Sequence, residues 1–182
     1  MTWPVERTMS IAPGVWWAYP HGRSTGAAVT ALRCYFGWVW IPGRTKFSQI
    51  GVDVTSGSGG TNLQLGIYTT RAGLPDRPVF RSASTSSAST ATVAIDLTGP
   101  SGSGIYLDAG YYFLAVCSDG TPSIRNYLPG VAGQTGYATL AATTANTHMY
   151  TALGSLSLPD QANGLTYTQA TGNFPGAMLL AA

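Results

Sequence analysis

Charge is what this chain has least of. Charged residues make up 9% of its 182 positions, against roughly 25% in soluble domains, and Lys46 and Glu6 are the only lysine and the only glutamate. Helices laced with ion pairs one turn apart have nothing to be built from, and good helix formers are scarce. The formal net charge of +2 comes from dispersed arginines with no basic run. That leaves no electrostatic footprint for a phosphate backbone, so no nucleic-acid partner is expected. Cys34 and Cys117 have no metal-ligand spacing. Both fall in apolar strand-like runs and read as buried thiols in preference to a cross-strand disulfide.

Long hydrophobic runs are missing too. The uncharged stretch from Asn126 to Pro159 is threaded with Gly, Thr and Asn, too polar to span a membrane. Glu6 and Arg7 stand where a signal peptide needs its apolar segment, and Pro4, Pro13, Gly14 and Pro20 interrupt the first thirty residues. The expectation is a soluble protein made in a cytoplasm, without membrane insertion.

What fills the composition is 23 Gly and 11 Pro with abundant Ser, Thr and Ala, the material of strands and turns. The length suits one domain with a core of its own. Ile50, Val52 and Val54 alternate with Gly51, Asp53 and Thr55, and Leu63, Leu65 and Ile67 alternate with polar or small neighbours across the loop 56–60. Period-two patterning of this kind marks half-buried strands, and the pair reads as a hairpin. Ala72 to Asp76 reads as a turn leading to a strand at Val79. Further strands are expected at Val93–Leu97, Tyr111–Cys117, Ile124–Leu128, Thr147–Leu153, Leu165–Thr168 and Ala177–Ala181, with at most one turn of helix within 138–146. Nine or ten strands with regular turn signals predict an all-β fold, an antiparallel β-sandwich of jelly-roll type. Residues 1–14, irregular and Pro-bearing, read as an N-terminal docking arm, and 15–182 as the sandwich.

No catalytic constellation is visible. His21 and His148 are the only imidazoles, neither in a nucleophile-elbow motif. Asp76, Asp108, Asp119 and Asp160 sit in turn-like sequence, whereas Asp53 and Asp96 take outward strand positions, so no pair is set across a cleft as glycoside hydrolysis needs. The run of alternating oxygens that a calcium loop requires is absent. No enzyme activity, metal or cofactor is expected.

The aromatics carry more. Trp16, Trp17 and Tyr19 precede a Pro-His-Gly turn, and Tyr127, Tyr137, Tyr150 and Tyr167 lie in the irregular last third. Such rings could stack on sugars or a partner, or simply plug the sandwich edges. The runs Cys34–Ile41 and Tyr111–Cys117 are apolar on both faces. A sandwich buries one face of each sheet, so the second must be covered by a loop, by the N-terminal segment or by another subunit. If a subunit covers it, Tyr35, Trp38, Trp40 and Tyr112 are the candidate interface and a homotrimer is the expected state.

The run PGRTKFSQIGVDVTSGSGGTNLQLGIYTTRAGLPDRPV, with LDAGYYFLAVCSDGTPSIR and the apolar end GAMLLAA, resembles the sandwich domains at the C-termini of bacteriophage tail-fibre and minor tail proteins. The similarity covers about residues 24–127 well and the remainder loosely. It implies a virion structural protein displayed on the particle surface, often trimeric, contacting other virion proteins and host surface glycans. Tail-fibre domains hang on long shafts, whereas about fourteen residues precede this one. The expected roles are therefore a tail or head appendage, a capsid decoration protein clamped by its arm, or a carbohydrate-binding module.

Overall fold

Apolar residues at every second position set the architecture. The computed structural model describes residues 11–18, 22–99, 102–128, 136–137, 145–146, 148–170 and 174–182, and every regular element among them is extended. The expected turn of helix within 138–146, and the arm up to residue 10, lie almost wholly outside the described residues.

In chain order the strands are β1 (Trp16–Trp17), β2 (Gly22–Ala28), β3 (Arg33–Ile41), β4 (Thr45–Ser56), β5 (Asn62–Arg71), β6 (Leu74–Arg81), β7 (Thr85–Ser86), β8 (Ala91–Asp96), β9 (Thr98–Gly99) and β10 (Gly102–Ser103). There follow β11 (Ile105–Leu107), β12 (Gly110–Ser118), β13 (Ser123–Leu128), β14 (Gly136–Tyr137), β15 (Ala145–Asn146), β16 (His148–Ala152), β17 (Thr168–Ala170), β18 (Phe174–Pro175) and β19 (Met178–Ala181). These outnumber the nine or ten expected because many are only two residues long.

An eight-stranded sheet runs β1-β19-β4-β13-β18, with β8 and β11 also on β4 and β2 on β13. A seven-stranded sheet runs β17-β16-β3-β12-β5-β6, with β7 on β5. The ladders are antiparallel, and the sheets close on a shared core as a β-sandwich. Phe47, Ile50, Val52, Val54, Ile124 and Leu179 enter that core from one side, and Tyr35, Val39, Leu63, Leu65, Ile67, Leu114 and Val116 from the other. Fully burying such a side chain is worth about 1.5–3 kcal/mol, so these residues dominate stability.

Three expectations change. The strands around Val52 and Leu65 do not form a hairpin: β4 and β5 lie in opposite sheets and face each other across the core. The loop between them is an arch, held to the segment after β7 by Ser58 N–H donating to Ser87 O (3.2 Å) and Ser87 N–H to Thr61 O (2.9 Å). Alternation says which residues share a face and is silent on which strand lies alongside. The hairpin that does form, β5–β6, turns at Ala72 and Gly73 with φ of 50° and 78°, the mirror-image turn that suits strand twist. Its second strand therefore starts at Leu74 instead of Val79; Pro75 and Pro78 are tolerated because β6 is the sheet's edge. Finally, Ile11, read as part of the arm, is buried in the core, and Gly14 N–H donates to Ala181 O at 2.9 Å.

The doubly apolar strands are covered from within at Cys34, Phe36, Phe113, Ala115 and Cys117. Cys34, Phe36, Tyr68, Phe113, Ala115, Cys117 and Met149 form a second cluster on the outer face of the seven-stranded sheet, under Leu156, Leu158, Ala162, Leu165 and Tyr167. The covering segment is tied down by Leu153 N–H to Leu32 O (2.7 Å), Leu158 N–H to Gln64 Oε1 (3.0 Å), Tyr68 Oη–H to Pro159 O (2.9 Å) and Ala162 N–H to Asp76 O (2.7 Å).

Candidate functional site

Successive residues of a strand point to opposite faces, and this separates the paired tryptophans. Trp17 packs on the core beside Leu179, its register partner, whereas Trp16 lies half-buried against the outer face of the eight-stranded sheet. Its seat is Gly51: a Cβ there would stand 2.8 Å from Trp16 Cη2 and 3.0 Å from Val93 O. Beyond Gly51 on the same outward row is Asp53, whose Oδ2 accepts from Arg125 Nε at 2.6 Å. Thr92 is directly opposite Asp53 on β8. Trp16, Gly51, Val52, Asp53, Thr92, Arg125, Gly176 and Met178 together enclose a cavity of about 150 Å³.

Of the remaining stacking candidates, Tyr150 and Tyr167 do not join Trp16. Tyr150, on the other sheet, carries the Arg33 guanidinium 4.0 Å from its ring centroid and lies 6.0 Å from the Tyr35 ring. Tyr167 packs edge-on against Phe36 at 5.6 Å, and its hydroxyl donates to Ala162 O at 2.7 Å. Tyr19 lies outside the described residues; Tyr127 and Tyr137 stand on β13 and β14. Of the candidate interface residues, Tyr35 is buried and accepts at Oη from Thr30 N–H (3.0 Å), and Tyr112 packs on the core. Trp38, half-buried, meets the exposed Tyr111 edge-on at 5.2 Å. Trp40 is half-buried and gives its carbonyl to Trp17 Nε1–H.

All but one of the aspartates make a hydrogen bond or ion pair within the fold. Asp96 accepts from Gln49 Nε2 (2.8 Å), Asp119 from Asn62 N–H (2.6 Å), and Asp160 and Asp108 pair with Arg81 and Arg44. Asp76 is the exception, its Oδ1 buried without a partner. His148 is buried beside Tyr35, and burial together with the Arg33 charge lowers its pKa to about 4. At neutral pH it is an uncharged ring. Cys34 faces Cys117 across β3 and β12; both are free thiols, and burial, then the contact with Cys117, pushes Cys34 well above the usual thiol range. A thiol so placed is inert as a nucleophile. His21 and Glu6 fall outside the described residues. Among the described residues no three His, Cys, Asp or Glu side chains gather where they could hold a metal ion, and no helix is long and apolar enough to cross a membrane.

A larger crevice of about 430 Å³, lined by Gln64, Phe80, Arg81 and Leu158 among others, is the seam under the covering segment. Its polar groups hold that segment: Arg81 Nη1–H donates to Leu158 O at 2.8 Å, and Gln64 takes the Leu158 N–H. The cavity over Gly51 is therefore the candidate site. Trp16 is legible in the sequence; Asp53, Thr92 and Arg125 are missed as site residues, since each reads as an ordinary outward strand position. The available signal is the glycine inside IGVDV, which weakens a strand unless something must approach it closely.

No protein-family model matches the chain, and no curated protein matches it.

Proposed function

We propose that this chain is a non-enzymatic structural protein of a bacteriophage particle, a subunit of a tail or head appendage displayed at the surface, where it meets other virion proteins and host glycans. One observation carries the reading. The segments that resemble phage tail-fibre and minor tail domains run through β4, β5, β6, β12, the start of β13 and β19 with the turns among them, and they include the strands on which the sheets are built: β4 bears four partner strands, and β12 lies between β3 and β5. The resemblance thus takes in the frame of the sandwich together with the turns that join it. A surface polar through Ser, Thr, Asn and Gln, with little charge, suits close packing between virion subunits.

The test is location. Purified particles of a phage encoding this chain should carry it through a density gradient, and antibody labelling should place it on a tail or head projection. Particles that lack the protein, or that enclose it within the head, overturn the proposal.

A further inference from the structure

We propose that the cavity over Gly51 binds a single neutral pyranose ring, with Trp16 as its apolar wall and Asp53, Arg125 and Thr92 as partners for the hydroxyls. The inference rests on the reading of the chain as a glycan-facing surface protein and assigns that role to one site.

The wall chemistry is divided as a sugar's surface is. The Trp16 ring and the Met178 thioether supply apolar, polarisable surface, and a carboxylate, a guanidinium and a hydroxyl supply the polar side. A pyranose presents a face of C–H groups to an aromatic ring, whose π-surface is electron-rich, and a rim of hydroxyls that both donate and accept. Asp53 can only accept; Arg125 can only donate, and the pair engages its Nε among five N–H groups. Adjacent hydroxyls can therefore bridge the two.

Charge narrows the class. Asp53 and Arg125 pair at 2.6 Å, so an acidic sugar or a phosphate would have to compete with the Asp53 carboxylate for the guanidinium. A neutral ring need not break the pair. Volume narrows it further: about 150 Å³ is well under the roughly 300–1,000 Å³ of sites for drug-sized ligands. One ring fits, with the rest of a glycan left in solvent.

The site is also formed in advance. Gly51 and Asp53 belong to β4, Thr92 is held opposite by β8, and Trp16 is fixed by the β1–β19 ladder, so little side-chain ordering is left for binding to supply. A glycine inside a central strand is less favourable than alanine; the close approach of the indole explains its place.

The full chain, isotope-labelled, would be titrated by NMR at millimolar concentrations with the methyl glycosides of glucose, galactose and mannose, with N-acetylglucosamine, and with N-acetylneuraminic and glucuronic acids. Saturable shifts of the amides of 51–53, 92, 125 and 176–178 with at least one neutral sugar, and weaker or no shifts with the acids, support the subsite. Asp53→Asn should then weaken binding by about tenfold or more, and Gly51→Ala, which displaces the indole, should weaken it also. Should Asp53→Asn not fold, Thr92→Val on the exposed strand decides the point by the same criterion. No saturable shift with any neutral sugar, tighter binding of the acids, or unchanged binding in the variants overturns it. Particles that carry the protein without any sugar response overturn the subsite alone; a sugar response in a protein missing from particles overturns the virion reading alone.

Discussion

The Nε1–H of Trp17 donates to the carbonyl oxygen of Trp40 across 2.9 Å, and so fastens the edge strand β1 of one sheet to the end of β3 in the other. The indole itself lies on the core, where it caps the gap between the sheets. Trp17→Phe keeps most of the ring but removes the donor to the Trp40 carbonyl. A loss of about 1 kcal/mol is expected, read as a lower urea midpoint with an unchanged m-value. An unaltered midpoint would show that this bond contributes nothing.

Leu158 covers the second hydrophobic cluster and is 2% exposed. Leu158→Ala should destabilise by about 2–5 kcal/mol, through lost transfer energy and the cavity left behind. It should also uncover the thiols. Cys34 and Cys117 in the native protein should resist a disulfide reagent such as DTNB, and the variant should react faster under native conditions. Equal thiol reactivity would mean that Leu158 does not seal this face.

Acid should weaken the protein through His148. Its folded pKa of about 4 lies below the ordinary 6.5, so the folded state refuses a proton that the unfolded chain accepts. The associated stability is complete above pH 6.5, falls as pH drops, and is lost below about pH 4. The gap between the two values corresponds to about 3 kcal/mol. Stability measured across that range should fall in the wild type and flatten in His148→Gln; matching slopes would exclude His148 as the cause.

The arch between β4 and β5 separates two glycines. A Cβ on Gly57 would stand 2.2 Å from Ala88 O, a backbone atom, whereas one on Gly59 would meet nothing within 4 Å. Gly57→Ala should therefore cost about 1–3 kcal/mol through overpacking. Gly59→Ala should be neutral or stabilising by up to about 1 kcal/mol, since alanine restricts the unfolded chain. Thermal melts of the two variants should diverge in that order, and similar melting temperatures would refute the arch geometry.

Sequence alone determined the central extended elements and their faces, although the strand expected at Leu165–Thr168 is irregular through Tyr167 and β17 begins only at Thr168. Ile50, Val52 and Val54, and Leu63, Leu65 and Ile67, point inward as their alternation requires, because that period is a property of the strand itself. It also showed that Cys34–Ile41 and Tyr111–Cys117 are apolar on both faces and need cover. Tertiary structure alone decided what lies beside what. It set β4 opposite β5 instead of alongside it, since one loop can serve as a hairpin or as an arch and long-range ladder pairing makes the choice. It supplied cover for Cys34, Phe36, Phe113, Ala115 and Cys117 from residues 153–167 of the same chain. It also brought Arg125 to Asp53, 72 positions away in sequence, beneath a tryptophan seated on a glycine. Local patterning records which way a side chain points; only the closed fold records what it meets there.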